Sequence, residues 1–322
     1  MSTPDFNVPS SSVVEISLIV PVYKEELNIR PFLERVEAVF ERMRVSYEII
    51  FSLDPSPDKT EEIILEEISR NSSIKLLVFS RRFGQPAATM GGIAASTGNY
   101  VVLIDVDLQD PPELMINMYL AAKNGSEVVY ARRTKREGET AIKKLIAKIG
   151  SNLIQHLSEV PIPKDVGEFR MMSRRVVNEL LSLKETHGFI RGLVAFVGFR
   201  QEAIEFVRDS RLLEETKYNR LTGSIKIGLN GLIGFSARPL QLMSIVGGLI
   251  AVLSFLLGLV YILLKLMGET TPGLATIILF VSFFSGIQLM ALGLIGEYIG
   301  RIYDEVKGRP QYIVDKKINF ED

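Results

Sequence analysis

The sequence has no cysteine, no tryptophan and only two histidines, His156 and His187. Without cysteine there are no disulfides, no thiolate metal sites and no thiol nucleophiles. Two histidines are too few for a zinc centre built on imidazoles. An excess of one charge is missing as well: 37 Lys and Arg meet 38 Asp and Glu, for a formal net charge of -1. Electrostatic binding of nucleic acid needs a basic excess, so no nucleic-acid partner is expected.

Long apolar runs, by contrast, are present. Residues 240–264 carry no charge over 25 positions, and residues 273–296 none over 24. At 1.5 Å per residue each run makes roughly 36 Å of helix, against a hydrocarbon core of about 30 Å. They read as two membrane spans, and the short link 265–272 makes them a hairpin. Lys217, Arg220, Lys226 and Arg238 precede the first span; Arg301, Lys307, Arg309, Lys316 and Lys317 follow the second. The link holds Lys265, balanced by Glu269. The positive-inside bias therefore puts both termini in the cytoplasm. The first twelve residues have neither a basic n-region nor an apolar stretch, so no signal peptide is expected. The chain is expected to be an integral protein of a bacterial-type inner or plasma membrane, with residues up to about 238 working in the cytoplasm. Two further stripes, Ile142, Leu145, Ile146, Ile149, Leu153 and Leu157, and Ile225, Leu229, Leu232 and Ile233, have helical spacing. Each suits either packing on the globular part or lying in the membrane surface.

Strand and helix signals alternate from residue 13. Apolar runs at 13–20, 47–53, 74–80, 100–104 and 127–131 predict strands. Between them, helices are predicted over 25–43, 59–70 and 86–96, and from Pro111–Pro112. Continuous apolar strands separated by helices predict a mostly parallel, doubly wound α/β sheet. Ligands of such sheets bind beyond the carboxyl ends of the strands. The polar motifs sit at those ends.

The strongest motif is Asp105-Val106-Asp107-Leu108-Gln109-Asp110, directly after an apolar strand. Alternate residues of an extended segment face the same way, so Asp105, Asp107 and Gln109 can converge. Such hard oxygen donors suit Mg2+ or Mn2+ bound jointly with substrate phosphates. Asp110 reads as a cap for the helix that follows. Pro21, Tyr23 and Glu25 follow the first strand, and Asp54 and Asp58 the second. They either border a nucleotide or make turns and caps. Ser80, Arg81, Arg82, Gly84 and Gln85 follow the third strand and bring cations to the same rim. Arg132, Arg133, Lys135, Arg136, Arg211 and Lys217 suit phosphate binding or attraction to anionic lipid. Asp165 and Glu168 are the remaining acids of interest.

These residues resemble the polyisoprenyl-phosphate glycosyltransferases of glycosyltransferase family 2, in the bactoprenol glucosyltransferase group and related to dolichyl-phosphate mannose synthases. The resemblance rests on Pro21-Val22-Tyr23-Lys24-Glu25, Arg82-Phe83-Gly84, DVDLQDPPE at 105–113, RTKREGE at 133–139, VGEFRMMSRR at 166–175, FIRGLVAFVGF at 189–199, the Arg211-to-Lys217 element and GEYIGRIYDEVKGRPQYIV at 296–314. It implies a GT-A catalytic domain over 1–210, a juxtamembrane segment over 211–238, two spans over 239–297 and a tail over 298–322. It implies inverting transfer of a sugar, glucose first, from a UDP-sugar to undecaprenyl or a related phosphate. Asp107 would be the principal metal ligand, with Asp105 and Gln109 assisting. Pro21, Tyr23, Glu25, Asp54, Arg82, Gly84, Gln85, Asp105, Arg211 and Lys217 would meet the nucleotide-sugar. Arg133, Arg136 and Lys148 would hold the lipid phosphate, Asp165 is the candidate base, and a homo-oligomer, a tetramer in the family, is implied.

Two departures from the family pattern stand out. Leu53-Asp54-Pro55-Ser56 replaces the usual Asp-Asp-Gly-Ser, so the base contacts are expected to differ. Glu214 stands where relatives favour Gly, which implies a stiffer closing loop. Polymer synthases of the same fold carry a Gln-x-x-Arg-Trp motif that a chain without Trp cannot have. A transferase acting on another membrane lipid, and a non-catalytic nucleotide-binding scaffold, are the alternatives.

Overall fold

The computed structural model describes residues 13–134, 163, 166–183, 185, 190–206, 236–267 and 273–320. Eight strands form one sheet: β1 Ile16–Val22, β2 Tyr47–Leu53, β3 Ile74–Phe79, β4 Tyr100–Leu103, β5 Val128–Arg133, β6 Val166–Ser173, β7 Gln201–Phe206 and β8 Val314–Ile318. The helices are α1 Ile29–Met43, α2 Thr60–Arg70, α3 Gln85–Ala95, α4 Leu114–Lys123, α5 Arg174–Ser182, α6 Ile190–Val197, α7 Arg238–Leu266 and α8 Leu274–Lys307. The strand order is β7-β5-β6-β4-β1-β2-β3-β8. Strands β1, β2, β3 and β4 are mutually parallel, as are β5 and β7; β6 and β8 run against their neighbours. The mostly parallel α/β sheet is as expected. Strands β6, β7 and β8 and helices α5 and α6 extend it beyond the elements predicted.

The central strands are apolar throughout because helices cover both faces. Leu18 and Val20 point to one face, packing with Phe32, Val36 and Phe40 of α1 and with Met115 and Met118 of α4. Ile19 and Ile50 point to the other, with Met90 and Ile93 of α3 and Val176, Val177 and Leu180 of α5. In α1, Ile29, Phe32, Leu33, Val36, Val39, Phe40 and Met43 form the buried stripe. The helix stops at Arg44, whose left-handed backbone (φ 51°) returns its N–H to the Phe40 carbonyl. On the other face α3 lies close against the sheet: a Cβ at Gly91 would sit 2.7 Å from Phe79 Cζ.

Chain order places the site. The path steps from β1 to β2 to β3, then α3 carries it back across the sheet so that β4 lands on the opposite side of β1. The loops after β1 and β4 diverge there, and that switch point is where open α/β sheets bind ligands.

Helices α7 and α8 are apolar on all sides and uncovered, with Leu249 66%, Phe255 69% and Leu289 69% exposed. Such helices require a solvent other than water, and both are long and apolar enough to cross a membrane. The chain is membrane-associated through them. At 34 residues, roughly 50 Å, α8 is longer than a hydrocarbon core. Its last turns carry Glu297, Arg301, Asp304, Glu305 and Lys307, and Tyr298 Oη donates to the Ser236 carbonyl at 2.7 Å.

Candidate active site

Each loop at the carboxyl edge is tied to its neighbour. After β1, Lys24 adopts a left-handed φ of 58°. The backbone N–H groups of Lys24 and Glu25 donate to Ser56 Oγ and Thr60 Oγ1, both at 3.0 Å. Asp58 accepts from Thr60 Oγ1 at 2.8 Å, from Ser56 Oγ and from the Glu26 N–H. Asp54, 3% exposed, accepts from the N–H groups of Phe83 at 3.0 Å and Gly84 at 2.8 Å. Both acids make contacts of the turn-making kind: Asp54 to backbone N–H groups, Asp58 to hydroxyls and a backbone N–H. Gly84 has φ 95°, which glycine adopts without strain. The Arg82 guanidinium lies 3.9 Å from the centre of the Tyr23 ring, joining the loops after β1 and β3.

The acidic turn follows β4. Leu108 is held at φ 57° with its side chain buried in the core, so the turn around it is fixed by packing. Asp105 Oδ1 accepts from Gln85 Nε2 at 2.8 Å. Asp107 Oδ1 accepts from the Gln109 N–H at 3.2 Å, while the Gln109 residue itself is buried. Burial pushes the Asp105 carboxyl up to about 7, and the neighbouring charges of Asp107, Glu168 and Asp110 add to it; Arg133 pulls the other way.

Across the turn stands Arg133, at the end of β5. Asp110 is buried and contacts Arg133 Nη2 at 3.4 Å. The guanidinium lies against Gly167 of β6, where a Cβ would come within 2.8 Å of Nη2. Arg133 Nε is buried without a hydrogen-bond partner among the described residues. Next on β6, Glu168 accepts from Arg191 Nε of α6 at 2.6 Å and sits 3.4 Å from Arg170 Nη2. Burial would raise its carboxyl, but the charges of Arg170 and Arg191 hold it below the usual range.

Among the described residues no group of three His, Asp or Glu side chains forms a metal cage. The chemistry of the donor set nonetheless fits Mg2+ or Mn2+, which use one or two carboxylates and take the rest of their shell from substrate phosphates and water. The crowding that raises Asp105 is also what a divalent cation relieves.

The structure thus brings Pro21, Tyr23, Glu25, Asp54, Arg82, Gly84, Gln85, Asp105, Asp107, Gln109 and Arg133 to one edge of the sheet. Asp165, Arg136, Lys148, Arg211 and Lys217, and both amphipathic stripes, lie outside the described residues. Gly167, Arg191 and the Asp110–Arg133 pair were not singled out from the sequence. For Arg191 a signal existed, a lone cation in the otherwise apolar IRGLVAFV. Asp110 and Arg133 are 23 residues apart, and no local pattern links them.

Carboxylates and guanidiniums facing one another at a switch point form the site of an α/β enzyme handling phosphorylated substrates. The model for glycosyl transferase family 2 matches residues 17–181. The uncharacterized glycosyltransferase YkcC of Bacillus subtilis (strain 168) is 45% identical over 96% of this chain and 95% of its own length. The SfII prophage-derived bactoprenol glucosyl transferase of Shigella flexneri is 36% identical, over 94% of this chain and 98% of its own. Among solved structures, glucosyl-3-phosphoglycerate synthase from Mycobacterium tuberculosis aligns with a TM-score of 0.46 at 19% identity, covering 68% of this chain and 78% of that one. The chain belongs to glycosyltransferase family 2 and is a glycosyltransferase.

Proposed function

We propose that the protein transfers a sugar, glucose first among candidates, from a UDP-sugar to a polyisoprenyl phosphate in the membrane. The observation that carries this is the pairing of the acidic turn, through Asp110, with Arg133 on a sheet whose chain continues into two membrane-length helices. The relatives named as bactoprenol glucosyl transferases, matched over nearly their whole length, support the lipid acceptor.

In this reading an oxygen of the lipid phosphate attacks the anomeric carbon from the face opposite the nucleotide. The new C–O–P bond forms as the bond to the UDP oxygen breaks, and UDP leaves with that electron pair, inverting the anomeric centre. A phosphate monoester, with its second pKa near 6, is already largely ionised at neutral pH, so a strong base is not required. Asp165 then orients the sugar or its neighbours more than it removes a proton. Asp105 and Asp107, with Gln109 assisting, would hold a divalent cation, Mg2+ or Mn2+, which when bound neutralises charge on the departing diphosphate. Arg82, and Arg211 and Lys217 beyond it, would face the donor phosphates. The Arg133 guanidinium, held beside Asp110, would donate to the acceptor phosphate. Residues 1–210 would act on the cytoplasmic side with both termini there, and 211–238 would lie between catalytic domain and membrane.

The deciding experiment is transfer to membrane-extracted polyprenyl phosphate from a panel of UDP- and GDP-sugars, with mass analysis of the lipid product. A polyprenyl-phosphate hexose formed from a UDP-sugar is the expected result. Transfer to a hydroxyl lipid instead, or donor turnover indifferent to the phosphate, would overturn the reading.

A further inference from the structure

Beyond α8 the chain does not trail away from the enzyme. Gly308, at φ 58°, ends the helix, and six residues later β8 runs antiparallel along the edge strand β3. The ladder shifts register between Val78 and Phe79, and beyond it the Ser80 N–H donates to the Ile313 carbonyl at 2.9 Å. That bond falls immediately before Arg81-Arg82-Phe83-Gly84, the loop placed on the donor side of the site. Side chains follow the same path. The Tyr312 ring meets Phe79 edge-on at 5.5 Å, Phe79 meets Phe83 at 6.3 Å, and the Arg81 guanidinium covers Phe83 at 3.9 Å. Phe79 has no slack on its other side, where α3 passes so close that Gly91 has no room for a Cβ. Further along, Asn319 Nδ2 donates to the Ser72 and Ile74 carbonyls at 2.8 and 2.6 Å, and Lys316 pairs with Glu61 at 3.3 Å.

We propose that the segment after α8 is a brace for the loop 81–84, and that Tyr312 is a positioning residue for the nucleotide-sugar, acting through Phe79 and Phe83. Asp54 holds the loop from below through its N–H groups; Tyr312 holds it from the sheet edge. Because the brace starts at the end of a membrane-length helix, the anchor and the donor loop share one continuous support. A strand that merely protects a sheet edge is the plain alternative. It would need neither the ring-to-ring chain nor a bond to Ser80.

The inference rests on the loop's donor-side role, so the test separates the two. Full-length enzyme in lipid nanodiscs is assayed with UDP-glucose and undecaprenyl phosphate, and binding of UDP in MnCl2 is measured by calorimetry. Tyr312→Ala is expected to raise the donor KM and the UDP dissociation constant about fivefold, the scale of one lost aromatic edge contact. The lipid KM and kcat should stay within about twofold, Tyr312→Phe should restore wild-type values, and Tyr312→Leu should fall between. Added to Arg82→Ala, Tyr312→Ala should cost less than about twofold more, because both act through one loop. A lower melting temperature for Tyr312→Ala and Tyr312→Leu with donor KM and UDP affinity unchanged would leave β8 as edge protection and overturn the brace alone. Donor KM and UDP affinity unmoved by Arg82→Ala would overturn the loop's donor-side role and the brace with it.

Discussion

The two ends of the sheet hold acids in opposite states. At the amino end, Glu48 is buried and fully engaged: Ser17 Oγ donates at 2.6 Å, Lys75 Nζ at 2.7 Å, and the Thr97 N–H and Oγ1 at 2.7 and 2.9 Å. Burial would raise its carboxyl, but those bonds and the Lys75 charge hold it below the usual range. At the carboxyl end Asp105 is pushed the other way, by burial and by three more carboxylates. One end is closed on itself and joins strands. The other is left electrostatically incomplete, in the way of a site whose charge balance is finished by something bound.

The largest effect expected from breaking this contrast is on catalysis. Asp107→Ala should lower transfer by about 10²- to 10³-fold at any Mg2+ or Mn2+ concentration, the scale of removing one preorganised electrostatic element. Its melting temperature should stay near wild type; normal turnover, in the variant or in wild type with excess chelator, would contradict the metal assignment. At the opposite end, Glu48→Ala should cost about 3 kcal/mol of stability by stranding Lys75 and the strand-joining donors. Chemical denaturation measures that loss, while the folded fraction should keep its turnover number.

A pH series sharpens the comparison. Asp105 holds a proton below about 7, so Mn2+ affinity should fall about tenfold per pH unit below that point, as read by paramagnetic resonance. For stability the signs are opposite. The lowered carboxyl of Glu48 contributes stability above its ordinary value of 4.5, and that contribution is lost as pH falls through the folded value. The raised Asp105 costs metal-free protein stability at neutral pH, a cost relieved as pH falls from 7 toward 3.8. Smallest of all, Asp110→Asn and Gly167→Ala should each raise the lipid KM several-fold, to about tenfold, with the donor KM unmoved. The first weakens the partner of Arg133, the second displaces its guanidinium.

Legibility tracked locality. Strands such as ISLIVPV and YEIIFSL were readable because both of their faces are buried, which leaves continuous apolar runs. In β6, Glu168 and Arg170 interrupt the pattern because they pair with each other, and Glu168 also with Arg191 of α6. In β8, VDKKI is largely polar because it lies on the outer edge, and its strand character comes from β3. The acidic turn was legible because its donors alternate within six residues. Asp54 and Asp58 were legible only as an alternative between nucleotide contact and turn.

The alternation of strands and helices, the membrane-length apolar runs and the chemistry of the acidic turn are all written in the order of residues, because each depends on residues within one element or one loop. Tertiary structure alone decided that β4 returns beside β1, that Asp54 ties down the backbone at Gly84, and that the C-terminal segment lines the edge beside the donor loop. Those contacts join residues from 30 to 247 positions apart, and such distances are closed by packing and strand pairing that no local pattern records.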